Sequence, residues 1–209
     1  MQELQAEGKV TELSQKWFNS DVSTLEGKKD AVTALAEKPK SRTLLIGCDG
    51  GRLPFSGKEN AGFTGFDVEF AKAVCAKLGW TAKFIAIDVS QAAVELGSGN
   101  VDCVWGGYAW EMDNADVFAS PVYMKNTIVL ASLKSGGVRS IGGLADKTLT
   151  LSDNAYYNAM LEQYKNLKSK PAYIVRVQNG TADCFAALND GKADAIVTDR
   201  LALGYYYSR

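Results

Sequence analysis

Histidine is absent from this chain of 209 residues. Its absence removes the commonest general base and the commonest metal ligand, and no nucleophile–base pair is visible without it. Cysteine is scarce and scattered: Cys48, Cys75, Cys103 and Cys184 include no C-x-x-C pair. A zinc site or a dithiol redox centre is therefore not expected, and no metal or cofactor is assigned. The four thiols read as small buried groups, with one disulfide among the first three left open if the protein is exported. Neither sign of charge is in excess, since 23 Lys and Arg face 24 Asp and Glu. A surface for nucleic acid or anionic lipid is thereby unsupported. No apolar run reaches the length that crosses a bilayer. Nor does a basic and then apolar leader open the chain, because Met1 runs directly into a polar helix; leaders are removed by processing, so this leaves the compartment open.

What is present is a phrase used twice. Leu96-Gly97-Ser98-Gly99-Asn100-Val101-Asp102 leads into Cys103-Val104-Trp105-Gly106, and Leu188-Asn189-Asp190-Gly191-Lys192-Ala193-Asp194 leads into Ala195-Ile196-Val197-Thr198-Asp199, 92 positions later. Each copy reads as a helix end, a glycine stop, an aspartate and a buried strand. Two such units imply two similar α/β lobes, and lobes that face each other enclose a cleft for a small ligand.

The periodicity predicts helix over residues 2–18, weakened at Gly8. A polar, Lys-containing stretch over 19–42 reads as a linker, with a short helix between Asp30 and Lys38. Strands are predicted at 43–48, 82–87 and 101–105. Helices are predicted at 65–78, stopped by Gly79, and at 91–96, capped by Ser90. The second half predicts strands at 127–132, 147–151, 172–177 and 193–198. Its helices fall at 141–144, 155–167 (capped by Asp153 or Asn154), 181–188 and from Arg200 onward. Strands alternating with helices at this spacing indicate parallel β-α-β units.

These residues resemble a known family. Asp49-Gly50-Gly51-Arg52-Leu53-Pro54-Phe55, followed by Gly65-Phe66-Asp67-Val68-Glu69, is similar to the opening of the extracytoplasmic amino-acid-binding proteins of ABC importers (solute-binding family 3). Leu96 to Gly107, Val117 to Tyr123 and Leu188 to Asp199 resemble three further motifs of that family, in its order. The resemblance covers residues 43–207. It implies a two-lobe periplasmic-binding-protein fold of type II, with residues 43–126 as lobe 1 and 127–209 as lobe 2. Leu4 to Phe18 resembles the helices that close such chains, yet here it comes first, and the family's return strand is expected beyond about residue 209. The fold is thus expected to be incomplete or permuted. A piece of a tandem protein, a circular permutation and half of an exchanged assembly all fit. The linker-like 19–42 favours the tandem reading. In each case residues 1–18 fill the vacant helix site of lobe 1, in the same chain or, as a domain-swapped homo-oligomer, in a neighbour.

The resemblance also places a site. An amino-acid receptor must pair a carboxylate and an ammonium in a dry cleft, since an unpaired buried charge costs several kcal/mol. Asp199 stands where the family takes the ammonium, and equally where a helix N-cap belongs. The other positions depart from the pattern. The family's carboxylate-binding Arg is missing from Trp110-Glu111-Met112-Asp113-Asn114. Ala109 replaces a hydroxyl residue, and Asp153-Asn154 replaces a Gly-Thr anion site. Arg52 replaces an aromatic lid beside Asp49 and Phe55; it either takes over the carboxylate or is a solvated turn residue. Tyr108 and Trp110 offer stacking faces or simple packing. With Asp49, Asp153 and Asp199 present, a cationic or amine-bearing solute is favoured over an acidic one.

The function this implies is extracytoplasmic capture of a small amino-acid-like or amine-bearing solute, in the periplasm or at the cell surface, for the membrane subunit of an ABC transporter. A sensor or interaction domain that has lost amino-acid binding is the alternative. An enzyme is not expected, although the same scaffold hosts lyases.

Overall fold

The computed structural model describes residues 1–32, 40–106 and 117–208. The chain divides into two compact units: Met1–Gly50 with Pro54–Lys125, and Gly51–Leu53 with Asn126–Arg209.

In chain order the first half carries α1 (Gln2–Ala6), α2 (Lys9–Phe18), β1 (Thr43–Cys48), β2 (Gly51–Arg52), β3 (Ser56–Glu59), β4 (Gly62–Thr64), α3 (Phe66–Leu78), β5 (Thr81–Ala86), α4 (Ala92–Gly97) and β6 (Cys103–Val104). Its main sheet is parallel, with β1 between β5 and β6. Gly8 does divide the first helix: it sits at φ 78 as the N-cap of α2, a left-handed conformation that glycine adopts freely. Leu4, Val10, Leu13 and Trp17 are buried along one face of the pair. That face meets α3, where Lys77 pairs with Glu3 at 2.6 Å and with Glu7, and Lys16 pairs with Glu69 at 2.5 Å. Phe18 closes the contact, 5.7 Å from the ring of Phe55 and 5.2 Å from that of Phe66. The N-terminal helices therefore pack on the first unit of their own chain.

Three local expectations change. The helix near residue 91 is not capped by Ser90. The carboxylate of Asp88 accepts from the Ser90 N–H at 2.9 Å and starts a 3-10 turn, Val89–Gln91, ahead of α4. The hairpin of β3 and β4 carries no alternation of apolar residues, so no periodic signal announced it. Residues 19–32 are less free than a linker. Ser23 bridges Met124, Thr24 donates its N–H to the Tyr123 carbonyl at 3.1 Å and its hydroxyl to that of Val122 at 2.8 Å, and the Val32 N–H reaches Glu3 at 2.8 Å. The helix expected from Asp30 to Lys38 falls largely on residues 33–39, outside the described residues.

The second half carries β7 (Ile128–Ala131), β8 (Thr148–Ser152), α5 (Ala155–Gln163), α6 (Lys165–Ser169), β9 (Tyr173–Val177), α7 (Thr181–Asn189), β10 (Ala195–Asp199) and α8 (Arg200–Tyr207). The sheet order is β7-β10-β8-β9, with β7 antiparallel to β10 and the remaining pairs parallel. Every residue of β10 is buried, as a central strand covered on both faces must be. Leu149, Leu151, Ala195 and Val197 from the strands pack with Leu144, Tyr157, Met160, Leu161 and Leu167. The helix expected over 155–167 is interrupted at Tyr164 (φ −96, ψ 73), which separates α5 from α6.

Both copies of the repeated phrase do the same work. Gly99 (φ 75) and Gly191 (φ 72) turn the chain in the left-handed region. Asp102 exchanges two bonds with Leu45: its N–H donates to the Leu45 carbonyl at 2.8 Å, and its carboxylate accepts from the Leu45 N–H at 2.7 Å. Asp194 makes the same exchange with Thr148, at 3.0 and 2.8 Å. Arg42 and Lys147 pair with the two carboxylates at 2.5 and 3.2 Å. In each case the backbone N–H, more than the cation, holds the carboxyl below its ordinary pKa. The motif thus fastens the start of a strand to its parallel neighbour.

All four cysteines are free thiols. Burial, before any nearby charge, pushes Cys48 and Cys184 up to about 12 and Cys103 to about 11, so they stay neutral and unreactive.

Candidate functional site

The second unit gathers its polar side chains around the end of β10. Asp199 is 1% exposed there. It is the N-cap residue of α8 by backbone position, but its carboxylate makes no capping bond. It turns instead to three side chains. Asn126 donates from Nδ2 to Oδ1 at 2.8 Å, the hydroxyl of Tyr157 donates to Oδ2 at 2.8 Å, and Arg52 reaches both oxygens from one terminal nitrogen, at 3.3 and 3.1 Å.

The sequence places each of these partners by a local device. Asn126 precedes β7, whose antiparallel register sets Ile128 opposite Asp199, and its own Oδ1 accepts from the Thr127 N–H at 2.9 Å. Tyr157 lies in the first turn of α5 because Asn154 caps that helix, its Oδ1 accepting from the Tyr157 N–H at 2.9 Å. Burial, and then the adjacent Asp199 charge, raise the Tyr157 hydroxyl well above its ordinary value, so it remains a donor. Tyr156, beside it, presents its ring 5.3 Å from the Arg52 guanidinium, within cation–π range.

Arg52 belongs to the three residues, Gly51–Leu53, that cluster with the second unit. Gly180 admits them. It sits at φ 83, ψ −151 at the start of α7, and a Cβ there would lie 1.9 Å from the Gly51 carbonyl oxygen. Only glycine permits so close an approach. The Arg52 side chain ends 11% exposed and paired to Asp199. It is not the solvated turn residue that the sequence left as one option.

The remaining expected residues that are described take places within their own units. Asp153 is exposed and held by Asn158 and Gln178, each at 2.9 and 2.8 Å from one carboxylate oxygen. Those amides, Asn158 first, lower its pKa. Asn154 serves as the cap just described. Phe55 is 4% exposed, packed on Phe18 in the first unit. Asp49 is half-buried at the end of β1 in that same unit. Tyr108, Ala109 and Trp110 lie outside the described residues. Sequence reasoning missed Asn126, Tyr156 and Tyr157. The signal for the two tyrosines was their position, directly after a capping Asn at the tip of a strand. Asn126 carried none. A cavity of about 250 Å³ in the first unit, lined by Leu4, Leu25, Val32, Val74 and Leu78, contains none of these residues.

Among the described residues, no helix is long and apolar enough to cross a membrane and no group of three metal-ligating side chains occurs.

Comparison with known proteins agrees with the resemblance drawn from the motifs. Residues 44–193 match the family described as bacterial extracellular solute-binding proteins, family 3. The arginine-binding extracellular protein ArtP of Bacillus subtilis is 28% identical over 80% of this chain and 65% of its own length. Among solved structures, an ABC uptake transporter substrate-binding protein from Streptococcus pneumoniae, with histidine bound, is 28% identical with a TM-score of 0.67, over 79% of this chain and 69% of that one. The ancestral amino-acid-binding protein AncCDT-1, a precursor of cyclohexadienyl dehydratase, is 26% identical with a TM-score of 0.63, over 78% and 73%. The chain spans 63–65% of the length of the curated relatives it matches.

Proposed function

The chain belongs to the bacterial extracellular solute-binding proteins of family 3, with their two-lobe periplasmic-binding-protein fold, and from that premise we propose that it captures a small amino-acid-like or amine-bearing solute outside the cytoplasm. Delivery then runs to the membrane subunit of an ABC importer. The observation that supports this reading is the buried carboxylate of Asp199 at the tip of β10. A buried anion binds a ligand ammonium strongly because little water competes for it. Asn126 and Tyr157 hold its two oxygens in place, so the position of the acceptor is set before a cation arrives. Arg52, paired to it, carries the complementary charge for a ligand carboxylate. The tyrosine face beside Arg52 suits the aliphatic or cationic part of such a molecule.

The family consists of binding proteins rather than enzymes, and turnover is not proposed. The test is a thermal-shift screen of the common amino acids and of short amines, followed by calorimetry on each hit. A ligand that binds only the folded state raises the melting temperature by mass action, about 2.7 kcal/mol at a hundredfold excess over Kd. Asp199→Asn is expected to weaken a hit by about two orders of magnitude, corresponding to the loss of a buried charged contact. Unchanged affinity in that variant would refute the assignment of Asp199. A second reading, an interaction domain without a solute, is favoured by one observation: Asp199 and Arg52 are already paired with each other. A flat screen together with stable association with a protein partner would select it.

A further inference from the structure

Two of the four thiols share one small core in the first unit. Cys75, on α3, is fully buried with Ile46 and Ala71, and Cys103 and Trp105 pack against that cluster. The sheet register explains the meeting. β1 and β6 run parallel with Ile46 opposite Cys103, and residues opposite each other in a ladder project to the same face. Ile46 faces α3, so Cys103 faces it too. The end of the helix sets its level along the strand: the Thr81 N–H, just past α3, donates to the Arg42 carbonyl at 2.9 Å. Cys75 therefore lies beside the first half of β1, where Leu44 and Trp80 complete the cluster.

The same geometry sets the other two thiols apart. Cys48 is on the same face of β1 but two residues further along, toward the opposite end of α3. After burial, the groups that act on its thiol are Asp67, in the first turn of that helix, and Asp49. For Cys103 the group that follows burial is Cys75. Cys184 lies on α7, in the second unit.

We propose that Cys75 and Cys103 form a disulfide as the chain folds outside the cytoplasm, and that this bridge staples β6 to α3. The place needs one. β6 is two residues long and lies at an edge of its sheet. Its described backbone ties are the ladder to β1, the Asp102 exchange with Leu45, and the Trp105 N–H, which donates to the Gly47 carbonyl at 2.9 Å. The oxidant is a disulfide of that compartment, on a small molecule or on an oxidoreductase. One cysteine thiolate attacks a sulfur of that disulfide and expels a thiolate. The second cysteine then attacks the mixed disulfide and expels the other. The two cysteines give up two protons and two electrons, and both appear on the two thiols released. In the finished fold burial keeps both groups neutral, so the exchange belongs to folding, before the cluster closes. The structure shows the reduced form.

The test refolds the fully reduced, denatured chain in mixed reduced and oxidised glutathione, and separately in reductant alone. Peptide mapping without reduction is expected to recover one linked pair, Cys75 with Cys103, and to find Cys48 and Cys184 free. The two cysteines are 28 positions apart, and closing that loop should raise the melting midpoint of the oxidised protein by about 5–10 °C over the reduced one. The rise should vanish in Cys75→Ala and in Cys103→Ala and persist in Cys48→Ala. Each comparison sets one chain with oxidant against the same chain with reductant, so a variant's own loss of stability cancels, and the mapping of wild type requires no variant. Four free thiols after oxidative refolding, a bridge through Cys48 or Cys184, glutathione left on a cysteine in place of the linked pair, or equal midpoints with and without oxidant would overturn the proposal.

Discussion

The two copies of the repeated phrase begin alike and end differently. Each opens with a left-handed glycine and an aspartate that trades two hydrogen bonds with the neighbouring strand. Up to that point Asp102 and Asp194 are interchangeable in role, and both side chains are about a third exposed. Five residues beyond Asp194 the strand still runs and delivers Asp199, fully buried, into a cluster of side chains. Beyond Asp102 the strand stops after Val104. Gly106 then sits at φ 79 against the carboxylate of Asp67, where no Cβ would fit. A repeat seen in sequence thus marks a shared fastening of the backbone, and the chemistry lies where the copies cease to match.

The largest effect that should break this symmetry is removal of Asp199. Asp199→Ala removes the buried carboxylate that Arg52 pairs with and that accepts from Asn126 and the Tyr157 hydroxyl. The expected destabilisation is about 3 kcal/mol, the lower end for a broken buried pair because Arg52 keeps some contact with solvent. Arg52→Ala should cost less, about 1–2 kcal/mol, since Asn126 and Tyr157 still donate to the carboxylate. Urea denaturation of both variants gives the ordering; if Arg52→Ala were the more damaging, the cluster would be built around the cation.

Next in size are two glycines that play matching parts. Gly65 starts α3 at φ 120, ψ 169, with its missing Cβ 2.3 Å from the Phe55 carbonyl oxygen. Gly180 starts α7 with its missing Cβ 1.9 Å from the Gly51 carbonyl oxygen. Both conformations are essentially restricted to glycine, so alanine brings about 1–3 kcal/mol of strain before any clash is counted. The two variants should be similarly destabilised. They should differ in ligand response, because only Gly180→Ala displaces the segment that carries Arg52. Calorimetry on the two variants checks this.

The architecture was largely legible because it rests on period and punctuation. The 43–48 strand runs into Asp49-Gly50-Gly51, the helix from Phe66 stops at Gly79, and the buried 195–199 strand follows the turn at Gly191; each is found within a residue or two. Where a turn rests on side-chain competition the signal was weaker. Asp88 and Ser90 are both able caps, and the sequence does not say which one turns inward. The hairpin at 56–64 has one large apolar residue, Phe63, and so no period to read. The site was half legible. Asp199 and Arg52 were identified separately through the family's motifs, but their pairing depends on Gly180 accepting the Gly51 backbone, 129 positions away in sequence. No local pattern encodes that. Asn126 and Tyr157 depend on a strand register and a helix cap, which place residues without regard to their chemistry.

Smaller effects sharpen the part the copies share. Asp102→Ala and Asp194→Ala each remove one charge-assisted bond to a strand N–H, expected at about 1 kcal/mol because each carboxylate remains about a third exposed. The double variant should show additive losses, since the two sites share no partner. A clearly larger loss at one site would mean that the fastenings are not equivalent.

The pH profile gives the subtlest contrast. Asp102 and Asp194 have lowered pKa values in the folded state, chiefly through the N–H groups of Leu45 and Thr148. Their contribution is present above the unfolded carboxylate value, near 4, and is lost as pH falls through the folded values. Acid should therefore weaken both units, and Asp102→Asn with Asp194→Asn should flatten that limb. On the alkaline side both units carry raised groups: Cys48 and Cys103 in the first, pushed up to about 12 and about 11, and in the second Tyr157, raised well above its usual value, and Tyr206, stacked 4.3 Å from Phe185 and raised to about 12, in each case mainly by burial. A raised folded pKa gives stability that is intact below the unfolded value, near 10 for a tyrosine and about 8.5 for a thiol, and declines as pH climbs from there. Tyr157→Phe should thus reduce the alkaline slope while leaving the acid slope untouched. Ultraviolet difference spectra of tyrosinate formation, followed between pH 9 and 12, would separate the two limbs. Early ionisation of Tyr157 in the folded protein would contradict its hydrogen bond to a charged Asp199.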